Sequence, residues 1–298
     1  MLRNHRSLLA SAALAVGAGA VANRVNMLAF LRRILWATAA GGAAVAVNEA
    51  AGKPVPFLRW SFLRLALGMR RLQREWQVGD GREQALADHV LATARAGDVD
   101  DAIRAVDEFC HTRKFMINIG DEKGEILDAA VRRARPRLVL ELGTYCGYSA
   151  LRIARAMPSA RVCSVEFSSA NAAVARSIWR HAGVADRVSV IVGTLGDGGA
   201  TLGTLRDEHG LGPGALDLLF LDHDKKAYLP DLETIEAACW LRPGSVVVAD
   251  NVGFPGVPGY RETMRTVDGG RWRTTEHRTH AEYQLLLPDL VLVSEYVG

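Results

Sequence analysis

Three polar side chains follow the ends of two predicted strands. Asp222 comes directly after the run 216–221, and Asp250 and Asn251 come directly after the run 245–249. Because parallel strands end at the same edge of a sheet, we expect these side chains to converge. Mg²⁺ takes a few such hard oxygen ligands, keeps water molecules and leaves room for substrate oxygens. The arrangement therefore predicts a magnesium site, against the alternative that these residues end neighbouring strands by coincidence.

Lys225 is a candidate general base. It lies three residues after Asp222. A divalent cation beside an ammonium group favours loss of a proton from the nitrogen, and a neutral lysine can then accept a proton from substrate. A solvated charge in a loop is the alternative, and the neighbouring Lys226 shows that position alone decides little.

The stretch ELGTYCGYS, residues 141–149, joins an apolar run to a helical pattern. Gly143 and Gly147 fall in this predicted strand-to-helix turn, where glycine permits a tight bend and the close approach of a ligand. Glu166 ends the next predicted strand roughly twenty residues further on, where a carboxylate commonly accepts hydrogen bonds from a nucleotide ribose. The pattern favours a nucleotide-binding crevice; an ordinary turn and a surface glutamate are the alternatives.

The elements that must position these residues alternate along the chain. Strands are predicted at 138–142, 161–166, 187–192, 216–221 and 245–249, with two more near 271–277 and 284–293. Helices are predicted at 148–157, 169–182, 200–209 and 229–240, after a helical region at 82–136. Near-continuous apolar strands separated by helices indicate an α/β fold whose parallel sheet is covered on both faces.

The composition is typical of a folded chain with a sizeable core. The 298 residues are 49% hydrophobic and 23% charged, with a net charge of +3. Arginines are crowded between residues 24 and 74, and no basic patch is interleaved with aromatic residues as in proteins that bind single-stranded nucleic acid. This distribution argues against a nucleic-acid partner and favours an N-terminus that faces a membrane.

Residues 1–78 are expected to form an N-terminal extension of the domain at 79–298. Four interpretations of it compete: a signal-like segment at 8–22 with Ala18 and Ala20 as a cleavage pattern, a short anchor, a basic amphipathic helix at 57–76 on a membrane surface, and a helical appendage packed on the domain. Each apolar stretch is shorter than the ~20 residues of a spanning helix. We expect membrane association by some combination of these, with a linker at 77–83.

The four cysteines are Cys110, Cys146, Cys163 and Cys239, and none has CxxC spacing. We expect small buried hydrophobic side chains rather than zinc ligands. Free thiols of this kind are typical of a reducing compartment. The domain is accordingly expected in such a compartment, held at a membrane or otherwise in the cytoplasm.

Several separate motifs occur in the order and spacing of one enzyme family. MINIGDEKGEILD, ELGTYCGYSALRIARAM, FLDHDKKAYLPD, LRPGSVVVADNVGFPGVP and HAEY resemble catechol O-methyltransferase, from about Gly79 to the C-terminus. The resemblance implies a Rossmann-like class I methyltransferase fold with seven strands, mostly parallel with one antiparallel, and helices on both faces. It also implies S-adenosylmethionine and Mg²⁺ as cofactors and a small-molecule catechol as substrate. The basic N-terminal extension resembles the membrane-bound form of that enzyme.

The resemblance assigns roles to matching residues. Lys225 would be the base, and Glu282 would accept a hydrogen bond from the second catechol hydroxyl. Mg²⁺ would be held by Asp222, Asp250 and Asn251. Glu166 would bind the ribose, and His223 would lie near the adenosine. The residues implied at the cofactor are Asn118, Ile119, Glu141, Gly143, Tyr145, Ser149, Glu166, Asp222 and His223.

The chain departs from the family around the substrate and the adenine. Phe115 and Asp224 stand where the family has tryptophans, whereas Pro255 of the same hydrophobic gate is retained. Leu195 and Gly196 replace a serine–glutamine pair that contacts adenine. We expect these changes to alter adenine contacts and substrate preference.

Two other functions fit parts of the pattern. The magnesium-dependent enzymes that methylate caffeoyl esters of coenzyme A share the aspartate–aspartate–asparagine set, but GTYCGYS and the pair Asp222–His223 fit the catechol enzymes better. A binding protein on an inactive methyltransferase scaffold would be expected to lack a metal ligand or the base, and none is missing here.

Overall fold

The computed structural model describes residues 77–265, 270–283 and 287–298, together with residues 48, 50, 59–61 and 64. Contacts divide the chain into two units, Met1–Trp60 and Ser61–Gly298, and the second contains every element named below. Most of the expected extension 1–78, with its competing interpretations, lies outside the described residues, and the boundary at 78 stays a prediction. In the described part of the chain, no helix is both long and apolar enough to cross a membrane.

The second unit is built on a seven-stranded sheet with the order β3-β2-β1-β4-β5-β7-β6. The strands are β1 (Leu138–Leu142), β2 (Arg161–Glu166), β3 (Val188–Val192), β4 (Leu218–Leu221), β5 (Val246–Ala249), β6 (Trp272–His280) and β7 (Pro288–Tyr296). Strands β1 to β5 pair in parallel, and β7 runs antiparallel to its neighbours β5 and β6. The predicted Rossmann-like sheet with one antiparallel strand is confirmed.

Helices cover both faces of this sheet. They are α1 (Arg82–Thr93), α2 (Val99–Thr112), α3 (Gly120–Ala134), α4 (Tyr148–Ala156), α5 (Ser169–His181), α6 (Ala200–His209), α7 (Tyr228–Ala237) and α8 (Pro258–Thr263). Side chains of a strand alternate between faces, so Val139 enters the core formed with α1 to α5, whereas Leu140 enters the core formed with α6, α7 and α8. Burial on both faces explains why the strands are continuously apolar.

The two glycines of the β1–α4 turn are required by neighbouring protein groups. Gly143 has φ +103°, and a Cβ atom there would clash with the backbone oxygen of Asp222. Gly147 has φ +83°; its carbonyl accepts a hydrogen bond from Trp179 Nε1 at 2.8 Å, and a Cβ would clash with that indole. Glycine tolerates both the positive φ and the close approach. The turn therefore brings the ends of β1 and β4 into direct contact.

The last strand extends further than the sequence pattern predicts. The expected range was 284–293, whereas β7 runs from Pro288 to Tyr296. Ser294 and Glu295 interrupt the apolar run, but their backbones pair with Val247 and Val246 of β5. The end of β7 is set by backbone pairing with β5, which an apolar sequence pattern does not predict.

One cysteine expectation is wrong. Cys110, Cys146 and Cys163 are buried, but Cys239 is exposed. Helix α7 was expected to reach residue 240 and ends at Ala237. Cys239 then adopts φ +57°, in the left-handed region that reverses the chain after a helix, and its side chain turns to solvent.

Candidate active site

Backbone hydrogen bonds continue the sheet one residue beyond the strands and bring the predicted acidic residues side by side. Asp222 N donates to Leu142 O at 2.9 Å, and Asp250 N donates to Leu221 O at 3.0 Å. Asn251 follows with φ +54°, an uncommon conformation for a residue other than glycine. The sheet thus places the ends of β1, β4 and β5 at one edge, as the sequence predicts.

Lys225 is held beside Asp222 by two hydrogen bonds. Its Nζ lies 3.0 Å from Asp222 Oδ1 and 2.7 Å from the hydroxyl of Tyr228. The Tyr228 hydroxyl lies 2.8 Å from Leu221 O and 3.1 Å from Asp250 O, so its proton points to backbone carbonyls and its oxygen accepts from Lys225. Burial holds the pKa of Tyr228 well above its usual value, which keeps that proton in place.

A second lysine, Lys123 of α3, lies at the centre of the acidic residues. Its Nζ is 2.8 Å from Asp250 Oδ2, 2.8 Å from Glu282 Oε1 and 3.0 Å from Asp289 Oδ2. The lysine is 1% exposed. Desolvation alone would lower the pKa of Lys123, but the surrounding carboxylates hold it well above the usual value. The surrounding carboxylates therefore favour the charged form of Lys123.

Sequence reasoning missed Lys123, Tyr228 and Asp289. A signal for Lys123 was present, because it shares the buried stripe of α3 with Gly120, Leu127 and other residues, and a lysine on such a stripe calls for buried carboxylates. Asp289 gave no comparable signal. It lies near the beginning of β7, and only the antiparallel direction of that strand brings its beginning to the edge where parallel strands end.

The site holds more acidic than basic side chains. Two lysines, Lys123 and Lys225, face the four carboxyl groups of Asp222, Asp250, Glu282 and Asp289. Burial raises the pKa of Asp250 to about 8; Lys123 opposes this shift, and the neighbouring carboxylates add to it. Burial would likewise raise the pKa of Glu282, but Lys123 and the hydrogen bond from Asn251 bring it below the usual value. The excess of carboxyl groups over lysines favours a bound cation.

The donor atoms suit a hard divalent cation. Asp250 Oδ2 lies 2.8 Å from Lys123 Nζ in an ion pair, but it accepts no hydrogen bond of normal geometry from the described residues. The Asn251 amide nitrogen donates to Glu282 Oε1 at 2.9 Å and to Asp289 Oδ2 at 3.0 Å, which leaves the amide oxygen for a cation. Among the residues described, no three His, Cys, Asp or Glu side chains alone form a metal site. A cation here would depend on Asn251 and on oxygens from outside the chain, as Mg²⁺ commonly does.

Glu141 lies buried at the end of β1. Its two carboxyl oxygens accept hydrogen bonds from the hydroxyls of Ser149 and Ser164. Burial raises the pKa of Glu141 to about 8, because the two hydroxyls only partly offset the loss of water. The structure thus joins two of the predicted cofactor residues, Glu141 and Ser149, around a carboxyl group that has no basic partner among the described contacts.

Glu166 and Tyr145 form a second pair. Glu166 Oε2 accepts from Tyr145 N at 2.8 Å, and Oε1 accepts from Ser168 N at 2.8 Å. Tyr145 has φ +47°, and its hydroxyl donates to Glu83 Oε1 at 3.1 Å. These bonds fix the Glu166 carboxyl at the end of β2, directly beside the glycine turn.

Asn118 and Ile119 lie at the start of α3. Asn118 Oδ1 accepts from Gly120 N at 3.1 Å. A Cβ on Gly120 would stand 3.4 Å from the Cα of Glu282, so the start of the helix packs against Glu282. One helix therefore connects two predicted cofactor residues with Glu282 and Lys123.

His223 packs against Tyr228, whose hydroxyl also contacts Lys225. Its ring stacks on Tyr228 with centroids 5.0 Å apart, and its Nε2 lies 2.9 Å from Asp231 Oδ2. The buried Nδ1 has no hydrogen-bond partner among the described residues. A Cβ on Gly143 would also clash with His223 N, so the histidine lies directly against the glycine turn.

The residues that depart from the family differ in exposure. Phe115 is buried, and its backbone contacts Ser61 and Arg82. Asp224 is exposed and accepts a hydrogen bond from Lys226 N at 3.1 Å. Leu195 is buried, whereas Gly196 and Pro255 are exposed. An exposed carboxylate therefore stands where the family has one of its two gate tryptophans.

Residues 101–264 match the family model described as O-methyltransferase. The chain belongs to this family. A probable O-methyltransferase of Mycobacterium tuberculosis is 61% identical over 234 residues, which are 78% of this chain and 100% of that protein. Catechol O-methyltransferase B of Danio rerio is 41% identical over 203 residues, covering 68% of this chain and 74% of the relative.

Solved structures of O-methyltransferases share the fold. An O-methyltransferase from Streptomyces achromogenes in complex with SAM has a TM-score of 0.52 and 24% identity, covering 80% of this chain and 99% of that one. At this identity the likeness concerns the fold alone.

Proposed function

We propose that this O-methyltransferase uses Mg²⁺ to transfer a methyl group from S-adenosylmethionine to one hydroxyl of a catechol. The observation that carries the proposal is a single connected network. It joins the predicted base Lys225 to Asp222 and, through the hydroxyl of Tyr228, to the backbone carbonyl of Asp250. From there it reaches Asn251 and Glu282 through Lys123 and Asp289. The catechol O-methyltransferase relative supports the same substrate class.

Glu141 suits the cationic part of S-adenosylmethionine. The methionine end of that cofactor carries an ammonium and a sulfonium charge, and a buried carboxylate stabilises positive charge nearby. Glu166 holds its carboxyl at the position where ribose hydroxyls are bound in related crevices. Both carboxyls are fixed by hydrogen bonds before a cofactor arrives, which limits the entropy lost on binding.

Asp222, Asp250 and Asn251 would hold Mg²⁺. When bound, the ion acts as a Lewis acid that lowers the pKa of a substrate hydroxyl. The excess of carboxylates in the site and the available oxygen of Asn251 support this assignment.

Lys225 takes the proton of the reacting hydroxyl at Nζ. Asp222 and Tyr228 fix that nitrogen with two hydrogen bonds and leave its remaining direction for substrate. The phenolate oxygen then forms a bond to the methyl carbon, the carbon–sulfur bond breaks, and its electron pair stays on sulfur. Holding the two reactants in line supplies much of the acceleration, up to ~7–11 kcal/mol in model reactions.

Glu282 decides which hydroxyl reacts. Its Oε1 is occupied by Lys123 and Asn251, so Oε2 remains to accept a hydrogen bond from the second hydroxyl. This contact orients the ring and leaves the first hydroxyl facing Lys225.

Methyl transfer from labelled S-adenosylmethionine to catechols and matched monophenols, with Mg²⁺ or with EDTA, tests the proposal on the full chain. We expect turnover of catechols only, and none with EDTA. Methylation of monophenols at the same rate in EDTA would contradict the proposal.

We further propose that residues 1–78 associate with membranes, on the basis of their arginines and apolar stretches. Flotation of the full chain with anionic lipid vesicles tests this. Protein that stays at the bottom of the gradient in low salt would contradict it.

A further inference from the structure

Asp289 contacts two residues of the candidate site without belonging to the predicted ligand set. Its side chain is 0% exposed. Oδ2 accepts from Asn251 Nδ2 and from Lys123 Nζ, both at 3.0 Å. Oδ1 accepts from backbone N–H groups of Gly253 at 3.2 Å, Phe254 at 2.8 Å and Leu290 at 2.7 Å. Oδ2 thus binds side chains of the candidate site, whereas Oδ1 binds the backbone.

The orientation of the Asn251 amide depends on Asp289. An amide can present either its oxygen or its nitrogen in a given direction, and only the oxygen binds a cation. Two carboxylates, Asp289 and Glu282, accept from Nδ2 and thereby turn the nitrogen towards themselves. The oxygen is left on the opposite side. Asp289 also anchors the backbone at Gly253 and Phe254, two and three residues after Asn251.

Lys123 links Asp289 to Glu282, the residue proposed to contact the substrate. Its ammonium lies between Asp289 and Glu282, within 3.0 Å and 2.8 Å of their oxygens. Because Lys123 is fully buried and bonded to Asp250 as well, it cannot move without breaking several ion pairs. The position of Glu282 is therefore linked to that of Asp289 through one cation.

We propose that Asp289 is a positioning residue that fixes the Asn251 amide with its oxygen towards the divalent cation and, through Lys123, fixes Glu282 towards the substrate. This inference rests on the proposed function, since it assigns a role next to the metal and the catechol. Residues that orient ligands from behind typically change metal affinity or activity by ~10–100-fold when replaced.

Asp289→Asn is the decisive change because it keeps the shape of the side chain. The three backbone N–H groups require an oxygen at Oδ1, so the new amide nitrogen takes the place of Oδ2. There it faces two donors, Asn251 Nδ2 and Lys123 Nζ. The Asn251 amide is then expected to rotate, which presents its nitrogen to the cation.

A swap of the two side chains should restore the oxygen that faces the cation. The amide at 289 still faces Lys123 Nζ and the carboxylate at 251 faces Glu282 Oε1, so only the metal affinity, and not the position of Glu282, is expected to recover. In the double variant Asp289→Asn with Asn251→Asp, the new amide donates to a carboxylate at position 251. That carboxylate offers an oxygen in both directions, so the cation regains its ligand. The number of carboxylates in the site is also unchanged.

Mn²⁺ is a suitable probe, because its binding to the full chain is measured directly by electron paramagnetic resonance. We expect affinity to fall ~10–100-fold in Asp289→Asn and to return to within a few-fold of wild type in the swap. The matched control is Asp217→Asn. Asp217 is also a buried aspartate that accepts from two backbone N–H groups, Arg137 N and Leu138 N, but it precedes β4 at the opposite edge of the sheet.

A second measurement separates positioning from general damage. In Asp289→Asn at saturating Mg²⁺, we expect a changed ratio of the two monomethylated products of an unsymmetrical catechol, because Glu282 loses its fixed position. The thermal midpoint of each variant shows whether it folds. If Asp289→Asn does not fold, the swap still decides, since a folded swap that binds Mn²⁺ at least tenfold more weakly than wild type overturns the inference.

The outcomes also separate this inference from the proposed function. Wild-type protein that binds no Mn²⁺ and methylates no catechol overturns both. Wild-type binding together with unchanged affinity and product ratio in Asp289→Asn overturns only the role of Asp289.

Discussion

Helix α3 contributes to two buried charged groups that differ in how fully their charges are matched. At its start, Lys123 meets three carboxylates. One turn further on, Asp128 meets two arginines, Arg152 and Arg155. We call these the lysine cluster (Lys123, Asp250, Glu282, Asp289) and the arginine cluster (Asp128, Glu125, Arg152, Arg155).

In the arginine cluster every nitrogen of Arg152 has a partner. Nε and Nη2 donate to Asp128 at 3.2 and 2.8 Å, Nη2 also donates to Glu125 at 2.6 Å, and Nη1 donates to Asp121 O and to the Tyr148 hydroxyl, both at 3.1 Å. Asp128 and Glu125 face Arg152 and Arg155, and the exposed Asp100 also lies 3.7 Å from Arg155. Even the neighbouring Gly124 is packed against this guanidinium, since a Cβ there would clash with it.

In the lysine cluster the acids outnumber the bases, and Asp250 Oδ2 accepts no hydrogen bond of normal geometry among the described residues. A buried charged group that is complete in itself is expected to hold the fold together, whereas an incomplete one stores unfavourable energy that a ligand can relieve. The difference between these two clusters on α3 thus separates a structural cluster from a functional one.

The largest expected effect is on the functional side. Lys225→Met should lower kcat by ~10²–10⁴-fold, because general-base catalysis contributes about that much. The matched control is Lys226→Met, which removes an exposed lysine next door and should retain wild-type kcat. Equal rates in both variants, measured with saturating substrates, would show that Lys225 is not the base.

Asp128→Asn should lower stability and leave catalysis unchanged, which is the reverse of the effect expected for Lys225→Met. Removal of one member of a buried ion pair costs about 3–5 kcal/mol, because the other charge stays buried. We expect the free energy of unfolding, measured with urea, to fall by an amount near the lower limit, since Arg152 keeps Glu125. Mn²⁺ affinity and kcat of the folded protein should not change. A loss of metal affinity without a loss of stability would contradict the assignment of the arginine cluster to the stability of the fold.

Glu141 predicts a dependence on pH. Its pKa is about 8 in the folded protein and 4.5 when unperturbed, so the folded state holds the proton more tightly. Its contribution to stability is complete below pH 4.5 and is lost as pH rises towards 8, by up to ~1.4 kcal/mol per pH unit. Urea unfolding without cofactor should show a shallower decline over this range in Glu141→Gln than in wild type.

The same carboxyl should respond to the cofactor. A cation at the methionine end favours the carboxylate, so the affinity of wild type for S-adenosylmethionine should increase from pH 6 to pH 8. An affinity that is independent of pH in wild type, or equally dependent in Glu141→Gln, would remove Glu141 from the cofactor site.

The smallest effect is expected at the exposed edge of the arginine cluster. The side chain of Glu125 is 68% exposed although it pairs with buried Arg152. Exposed pairs contribute about 0–1 kcal/mol, so Glu125→Gln should change the free energy of unfolding by less than ~1 kcal/mol. A decrease in the free energy of unfolding as large as that of Asp128→Asn would mean that Asp128 is not the main partner of the arginines in this cluster.

Much of the site was predictable, because the carboxyl ends of parallel strands all lie at one edge of the sheet. A residue that follows a strand in the sequence therefore lies at that edge in space. Glu166 ends a strand, and Asp222 and Asp250 each directly follow one, so a sequence pattern that locates the strands also locates these side chains. The predicted strands β1 and β2 have the observed bounds. The role of Glu282, in contrast, came only from the family resemblance, and the roles of the individual residues stay predictions until they are measured.

The sequence by itself determined the α/β sheet, the order of its parallel strands along the chain and the acidic residues at their ends, because periodic burial and strand ends are local properties. Only the tertiary structure decided that Lys123 and Asp289 complete the site. One comes from a helix before the sheet and the other from the beginning of an antiparallel strand, 166 residues apart. No local pattern encodes such a contact, since it exists only after the sheet has closed around both residues.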